Sequence, residues 1–587
     1  MKLLVTTALE ETWGKDEDIV FLGEWCRLYS RRDSYDKRNH EVLPYHWDDR
    51  KKAYNDYKYL KLLNKKITSE LKIILNALHG KDYSERIWSI LIGHWLVKFT
   101  AVVFDRWVMI ENAEQNYTDL TTNVLNIDYD TCVPNSSIDG VEFLFSDKWN
   151  HFLCSEIIKR STNIEVTKTS NELQVNNIYD VAETSLKTKL KSKVRSVFSY
   201  IQNTIFRSGT YVFKSTYLSV LDQLKLNISL GLSVSNIDTH TPHIIDCNNS
   251  FRQWIINDNT ASEFEKIVFE LLPVCMPKTY LEGFAVCDKK WRSKLYINRT
   301  KVIFSSNSHY YDDNFKTYIM HEVKQGAKLI LGQHGGGALN RYEDVMDLEL
   351  LIADKYLSTG SLNTKRDKKI IDIGQLFNRQ KYNKYDKNGG ALLVTVAMPR
   401  YHFSLFSAVI AGQMLGYFED QFDFYNSLTD EIKKQLNVRL YHGDYGWEQR
   451  QRWLDYYPGV KFDTNRKMDK SVQQSRLIIG TYAATTYNET LASNIPTIIY
   501  WNTEHWELSA ESDLFFEELK RVGIFHTTPQ SAAKQVVKIW NDIDQWWYDR
   551  ELQNVREKYC RAFAYRPKDL VQRIKKVLVE EKDKYGS

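Results

Sequence analysis

Three segments of this 587-residue chain combine residue types that can hold an anion or move a proton. The sharpest is Leu329-Ile-Leu-Gly-Gln333-His334-Gly335-Gly336-Gly337-Ala338, an apolar run ending in glycines around a histidine. Glycines let a backbone approach a ligand closely and offer unhindered N–H donors, and an imidazole beside them can act as acid, base or phosphate donor. A tight turn with an incidental histidine is the plainer account, but a polar run directly after a buried strand favours function. The spacing matches neither a P-loop nor a dinucleotide fingerprint. The second segment, Ile479-Gly480-Thr481 through Thr485-Thr486-Tyr-Asn488-Glu489, reads as strand, small-residue loop and helix start. Thr485 and Thr486 can hold a phosphate where the helix dipole favours negative charge, and Glu489 can accept from ribose hydroxyls. Thr486 with Glu489 satisfies a helix-capping box equally well. The third pairs Thr6-Thr7-Ala8-Leu9-Glu10-Glu11-Thr12-Trp13 with Gly23-Glu24-Trp25-Cys26-Arg27. Carboxylates and aromatics there suit an acceptor sugar (Thr7, Trp13, Glu24, Trp25) or a base (Glu10, Glu11). On the residues alone, surface acids on a loop are the better account.

Two further strand ends carry cations: Met398-Pro399-Arg400-Tyr401, whose arginine can pair bidentately with phosphate, and Tyr441-His442-Gly443-Asp444, whose histidine can steady a nucleotide. No metal site is expected, because neither an HxxxH pair nor a Cys/His cluster occurs. Asp128-Tyr129-Asp130 has DxD spacing, and Asp312-Asp313 precedes a helix and reads as its cap. A Ser-His-Asp hydrolase lacks its GxSxG elbow.

The elements that must position these residues follow from apolar spacing. Residues 2–7 and 19–23 read as strands, and about 54–104 turns helical, with Leu60, Leu63, Ile67 and Leu71 and then Ile87, Ile90 and Leu91. About 116–249 is rich in Asn, Ser, Thr and charge and yields only scattered helices. Helices at 256–272 and 315–326 and strands at 301–304 and 327–331 then alternate, as in a covered parallel sheet. A polar run over 361–390 marks a boundary, so the domains are read as 1–370 and 371–587. Beyond it come strands at 391–397, 438–441, 460–462, 477–480 and 497–500, helices at 403–417 and 488–492, and a helical stretch from 531 to 580. No segment reaches the run of about 18 apolar residues expected of a membrane span.

The bulk numbers narrow the class. Lys and Arg total 79 against 75 Asp and Glu, too balanced for a nucleic-acid binder, and the basic run Lys187 to Lys193 touches an anionic membrane or simply faces solvent. Seven scattered cysteines argue against a disulfide framework and fit a reducing cytoplasm. The N-terminal apolar run is too short for a secretory leader.

The chain resembles a family of transferases encoded in bacterial O-antigen and capsule loci. The residues that carry the likeness are Thr6-Thr7-Ala8-Leu9-Glu10, Phe21-Leu22-Gly23-Glu24-Trp25-Cys26-Arg27, Gly332-Gln333-His334-Gly335-Gly336, Asp354-Lys355-Tyr356-Leu357-Ser358, Tyr445-Gly446-Trp447 and Thr485 through Leu491. It also looks like the capsule transferases that use CMP-activated ulosonic acids, pseudaminic acid or Kdo, with retention. The resemblance implies an α/β, GT-B-like architecture, two Rossmann-like domains facing a central cleft with extra helices. It places the nucleotide mainly on the C-terminal domain and requires no metal or other cofactor. Gln333, Gly335, Gly336, Arg400, His442, Thr485, Thr486 and Glu489 are then donor-binding candidates, with His334 at the reacting centre and Glu10, Glu11 or Glu349 as nucleophile or base. Such enzymes carry Gln-His-Gly-Gly and later Glu-Glu-His-Glu. Here Tyr342-Glu343-Asp344 and Glu349 follow instead, which leaves the role of each acid open. The expected partners are a nucleotide-sugar donor and a lipid-linked or free glycan acceptor, with the chain peripheral on the inner face of the inner membrane. A teichoic-type polyol-phosphate transferase, a UDP-sugar transferase and a glycan-binding assembly protein are the alternatives.

Overall fold

The computed structural model describes residues 1–15, 17–175, 209–232, 234–236, 245–292, 300–335, 341–360, 367–376, 385–483, 485–564 and 567–585. Three parallel sheets organise them. Strands β1 (Lys2–Val5), β2 (Ile19–Phe21), β3 (His40–Val42), β4 (Leu120–Ile127) and β5 (Glu165–Leu173) lie in the order β3-β2-β1-β4-β5. Strands β6 (Tyr211–Lys214), β7 (Val234–Asn236), β8 (Val302–Ser305), β9 (Lys328–Gly332), β10 (Lys355–Ser358) and β11 (Ile370–Asp372) run β11-β10-β9-β8-β6-β7. The third sheet holds β12 (Gly390–Val394), β13 (Leu436–Arg439), β14 (Lys461–Phe462), β15 (Ser475–Gly480), β16 (Thr497–Tyr500) and β17 (Phe525–His526), in the order β14-β13-β12-β15-β16-β17. That last order is the doubly wound Rossmann sequence of strands, whose crevice opens where the order reverses, between β12 and β15. The middle and C-terminal sheets are both parallel and Rossmann-like, and the N-terminal sheet shares one hydrophobic core with the middle sheet.

The sequence reading, two domains at 1–370 and 371–587, did not register the first sheet as such. Its completing strands, Leu-Thr-Thr-Asn-Val-Leu-Asn-Ile in β4 and the mostly exposed β5, lie in the polar stretch 116–249 and carry no apolar run. Residue 370 is also not a boundary, since it opens β11, whose Ile370 pairs with Tyr356 of β10. The helix read at 403–417 starts only at Gln413, because Ala411 takes the left-handed region at φ 47°, which a helix cannot pass through.

Helices α1 (Arg50–His79) and α2 (Glu85–Asn116) form a long hairpin beside the first sheet. Asp49 caps α1 by accepting from the Lys51 and Lys52 amides, and Gly80 ends it at φ 60°. An 18-residue window of α2 has mean hydropathy 1.7, long and apolar enough to cross a membrane, contrary to the sequence reading; 89% of it is buried inside the protein. Its apolar side chains fill the common core rather than face lipid. Helix α3 (Asp344–Ile352) packs on α2, and α4 (Thr485–Ala492) follows β15. The last helix, α5 (Leu570–Asp583), crosses back to the middle sheet, where Leu570, Ile574 and Leu578 pack on Phe304, Ile330 and Leu357.

Candidate active site

The two strand ends singled out by sequence meet. His334 and Gly335 leave β9 and Thr485 opens α4 after β15, each at the carboxyl end of its sheet. A Cβ on Gly335 would stand 3.9 Å from Thr485 Oγ1. The loop after β9 and the N-terminus of α4 therefore come within contact distance of each other.

Gln333 holds the middle-sheet side in shape. Its Oε1 accepts from the Thr359 amide at 3.0 Å and from the Ser358 hydroxyl at 3.2 Å, while Nε2 donates to the Gly335 carbonyl at 2.7 Å. Gln333 is thus spent on orienting the loop. Gly332 is needed because a Cβ there would come within 2.5 Å of Leu376. Behind the half-buried His334 runs a polar chain. Its Nδ1 lies 3.4 Å from the Tyr310 hydroxyl, Tyr310 donates to Glu349 Oε1, and His309 Nε2 reaches the same oxygen at 3.0 Å. With the Tyr310 proton given to Glu349, the hydroxyl oxygen accepts from Nδ1–H, and Nε2 keeps its lone pair. Burial lowers the His334 pKa from its ordinary value, Glu349 offsets part of that, and His309 adds to the lowering. Near neutral pH the imidazole is a base. Glu349, read from sequence as a candidate nucleophile or base, is 2% exposed and bonded to Tyr310 and His309.

On the C-terminal side, Thr485 and Thr486 are the first two residues of α4, whose leading amides have no helical partner. Thr486 therefore sits inside the helix and does not cap it, so the capping-box account fails. Its hydroxyl lies 3.4 Å from the Tyr482 hydroxyl, and Glu489 is buried one turn on. His442, beyond β13, is exposed beside Tyr441, with ring centroids 4.3 Å apart.

Other candidates serve structure. Arg400 is 6% exposed: Nη2 pairs with Asp147 at 2.6 Å, Nη1 donates to the Trp25 carbonyl and Nε to the Tyr445 carbonyl at 3.2 Å. All three guanidinium nitrogens of Arg400, read from sequence as a donor-binding group, are thus engaged within the protein. Trp13 and Trp25 are buried, their indoles donating to the Thr7 and Thr6 carbonyls at 3.2 and 3.1 Å, and Thr7 is buried with them; none presents a face to an acceptor. Glu24 is held by Arg27 at 2.6 Å. Glu10 accepts from Ser34 at 2.8 Å, and Glu11 beside it is exposed; the contacts of both stay within the N-terminal unit. Gly336 and the Lys187 to Lys193 run lie outside the described residues. Asp312 caps its helix, accepting from the Phe315 amide at 3.0 Å.

The family model for LIC12162 family transferases matches residues 2–578. The chain belongs to that family. No curated protein matches it. Among solved structures it is similar to the wall teichoic acid polymerase TagF (12% identity, covering 68% of this chain and 99% of that one, TM-score 0.32). It is also similar to S. aureus MnaA with UDP (9%, 62% and 94%, TM-score 0.36) and to MurG of Acinetobacter baumannii (11%, 63% and 99%, TM-score 0.33).

In this family member the sequence reading missed Tyr310, His309 and Tyr217. All three follow strands of the middle sheet, β8 for the first two and β6 for the last, so the rule that found His334 could have found them. Tyr217, its ring 6.1 Å from that of His334, sits at φ 62° and is anchored by Asn307 at 2.9 Å. A non-glycine residue in the left-handed region beside a reactive group is a mark of a functional loop. Among the described residues no group of three or more His, Cys, Asp or Glu side chains converges as a metal site would require.

Proposed function

We propose that this transferase is a GT-B glycosyltransferase of capsule or O-antigen synthesis. It takes a nonulosonic acid such as pseudaminic acid from a CMP-activated donor, without metal or other cofactor, and places it on a glycan acceptor with retention, at the inner face of the inner membrane. The observation that carries the reading is the approach of Gly335 to Thr485, which gives one crevice a basic imidazole and a helix N-terminus together. A CMP donor departs as a phosphate monoester. The leading amides of the helix and the hydroxyls of Thr485 and Thr486 stabilise that growing charge without a metal ion. His334 Nε2 takes the acceptor proton, and Tyr310 and Glu349 hold the ring in the matching tautomer. With Glu349 engaged behind His334, retention proceeds by attack on the donor's own face.

A thermal-shift series with CMP, CDP, UDP and GDP tests this. The largest stabilisation is expected from CMP, and it should vanish when Thr485 and Thr486 are both replaced by Ala. A dominant UDP response would transfer the reading to a UDP-sugar enzyme. A product whose mass gains a phosphate would make it a polyol-phosphate transferase, and no response to any nucleotide would leave a glycan-binding protein.

A further inference from the structure

Two cavities away from the His334 crevice share a wall. One, of about 700 Å³, is lined by Tyr54, Tyr57, Arg341, Tyr342, Glu343 and Lys369, among others. The second, of about 430 Å³, opens between α1, α2 and α3 and is lined chiefly by apolar side chains, including Leu60, Leu96, Val97, Ala101, Leu348 and Leu405. Tyr57, Lys61, Asp347 and Leu351 border both, so the two adjoin. Both fall in the size range of small-molecule sites.

Their chemistries are opposite. In the first, three tyrosine rings cluster, Tyr54 stacked on Tyr57 at 6.2 Å and Tyr342 at 5.2 Å from Tyr57, while the Arg341 guanidinium lies 4.2 Å over Tyr54. Aromatic faces ringed by both cations and carboxylates suit a polyhydroxylated ligand, which needs donors, acceptors and an apolar platform together. The second offers mostly apolar surface, with charged side chains such as Lys61, Lys65, Glu85, Arg86 and Asp347 also on its lining, and large apolar side chains stand open there: Leu62 is 71% exposed and Leu351 59%. Lys61 marks the junction, 2.9 Å from Asp347 with more than half its side chain exposed, and Lys65 stands one turn further along α1. An occupant that satisfies all three parts has a hydrocarbon chain, an anionic link and a sugar.

We propose that these joined cavities are the acceptor subsite for a lipid-linked saccharide. The chain lies between α1 and α2, its phosphate meets Lys61 and Lys65, and its sugar covers Tyr54 and Tyr57, which rest on the buried Tyr342. This deepens the glycosyltransferase reading and rests on it for the word acceptor. Arg341 is seven residues beyond His334 in the sequence, so the saccharide pocket lies within about 25 Å of the reacting centre.

Isothermal titration with farnesyl diphosphate, against farnesol and inorganic pyrophosphate, tests the proposal on the full chain. Farnesyl diphosphate should bind at least about tenfold more tightly than either half of itself. Val97→Trp, which fills the apolar cavity, and Lys61→Glu with Lys65→Glu, which reverses the junction charge, should each weaken it by about tenfold or more and leave the CMP thermal shift unchanged. Should Val97→Trp fail to fold, Leu351→Glu at the exposed mouth replaces it. No binding of farnesyl diphosphate, equal binding of farnesol, or indifference to these variants overturns the proposal. Loss of the CMP response with lipid binding intact would instead remove the transferase reading and leave the lipid site standing.

Discussion

The His334 strand end and the Arg400 strand end start from the same design, a polar residue just past the carboxyl end of a parallel strand, and they end in opposite roles. Arg400 has each of its three nitrogens bonded, to Asp147, Trp25 and Tyr445, and it ties the N-terminal unit to the C-terminal sheet. His334 uses one nitrogen on Tyr310 and stays half-buried next to Gly335, where a Cβ would stand 3.9 Å from Thr485 Oγ1. Position after a strand selects candidates, and unspent hydrogen-bonding capacity separates ligand groups from rivets.

The largest effect that would break this contrast is on the His334 side. His334→Ala is expected to lower kcat/KM for transfer by about a hundred- to ten-thousand-fold with little change in melting temperature. Retained transfer would place the reacting centre elsewhere. Arg400→Ala should do the reverse. It should cost about 1.5–3 kcal/mol in urea unfolding, because Asp147 loses a charge-assisted hydrogen bond, while nucleotide affinity of the folded protein holds. A stable variant with weakened nucleotide binding would return Arg400 to the donor site. Thr485→Ala with Thr486→Ala is expected to weaken CMP by about tenfold or more by calorimetry, through lost bonds to a charged phosphate.

The smallest effect sharpens the account of Glu349. A base must be unprotonated, and burial sets the His334 pKa below its ordinary value of about 6.5, so kcat/KM should hold as pH falls through that value and decline only below it. Glu349 opposes the lowering, so Glu349→Gln should move the acid limb to still lower pH. An unmoved limb would make Glu349 merely structural.

How much of this was legible follows from range. The β9 and β15 ends could be read because glycines and threonines stand directly after short apolar runs, all within a dozen residues. The first sheet could not, since β5 is mostly exposed and the buried Leu120, Val124 and Leu125 of β4 are interspersed with Thr and Asn, so neither strand shows an apolar run. Trp13 and Trp25 were read as sugar-facing because an aromatic after a strand looks alike whether it points into a cleft or a core. The partner that claims Arg400 lies 253 residues away, and no local pattern announces Asp147.

A crystal structure of the protein with CMP is the most direct test of the shared crevice. The phosphate should sit within hydrogen-bonding distance of Thr485 or Thr486, on the side of α4 that His334 faces. CMP bound away from α4, or at α4 but outside the crevice that His334 lines, would contradict the account.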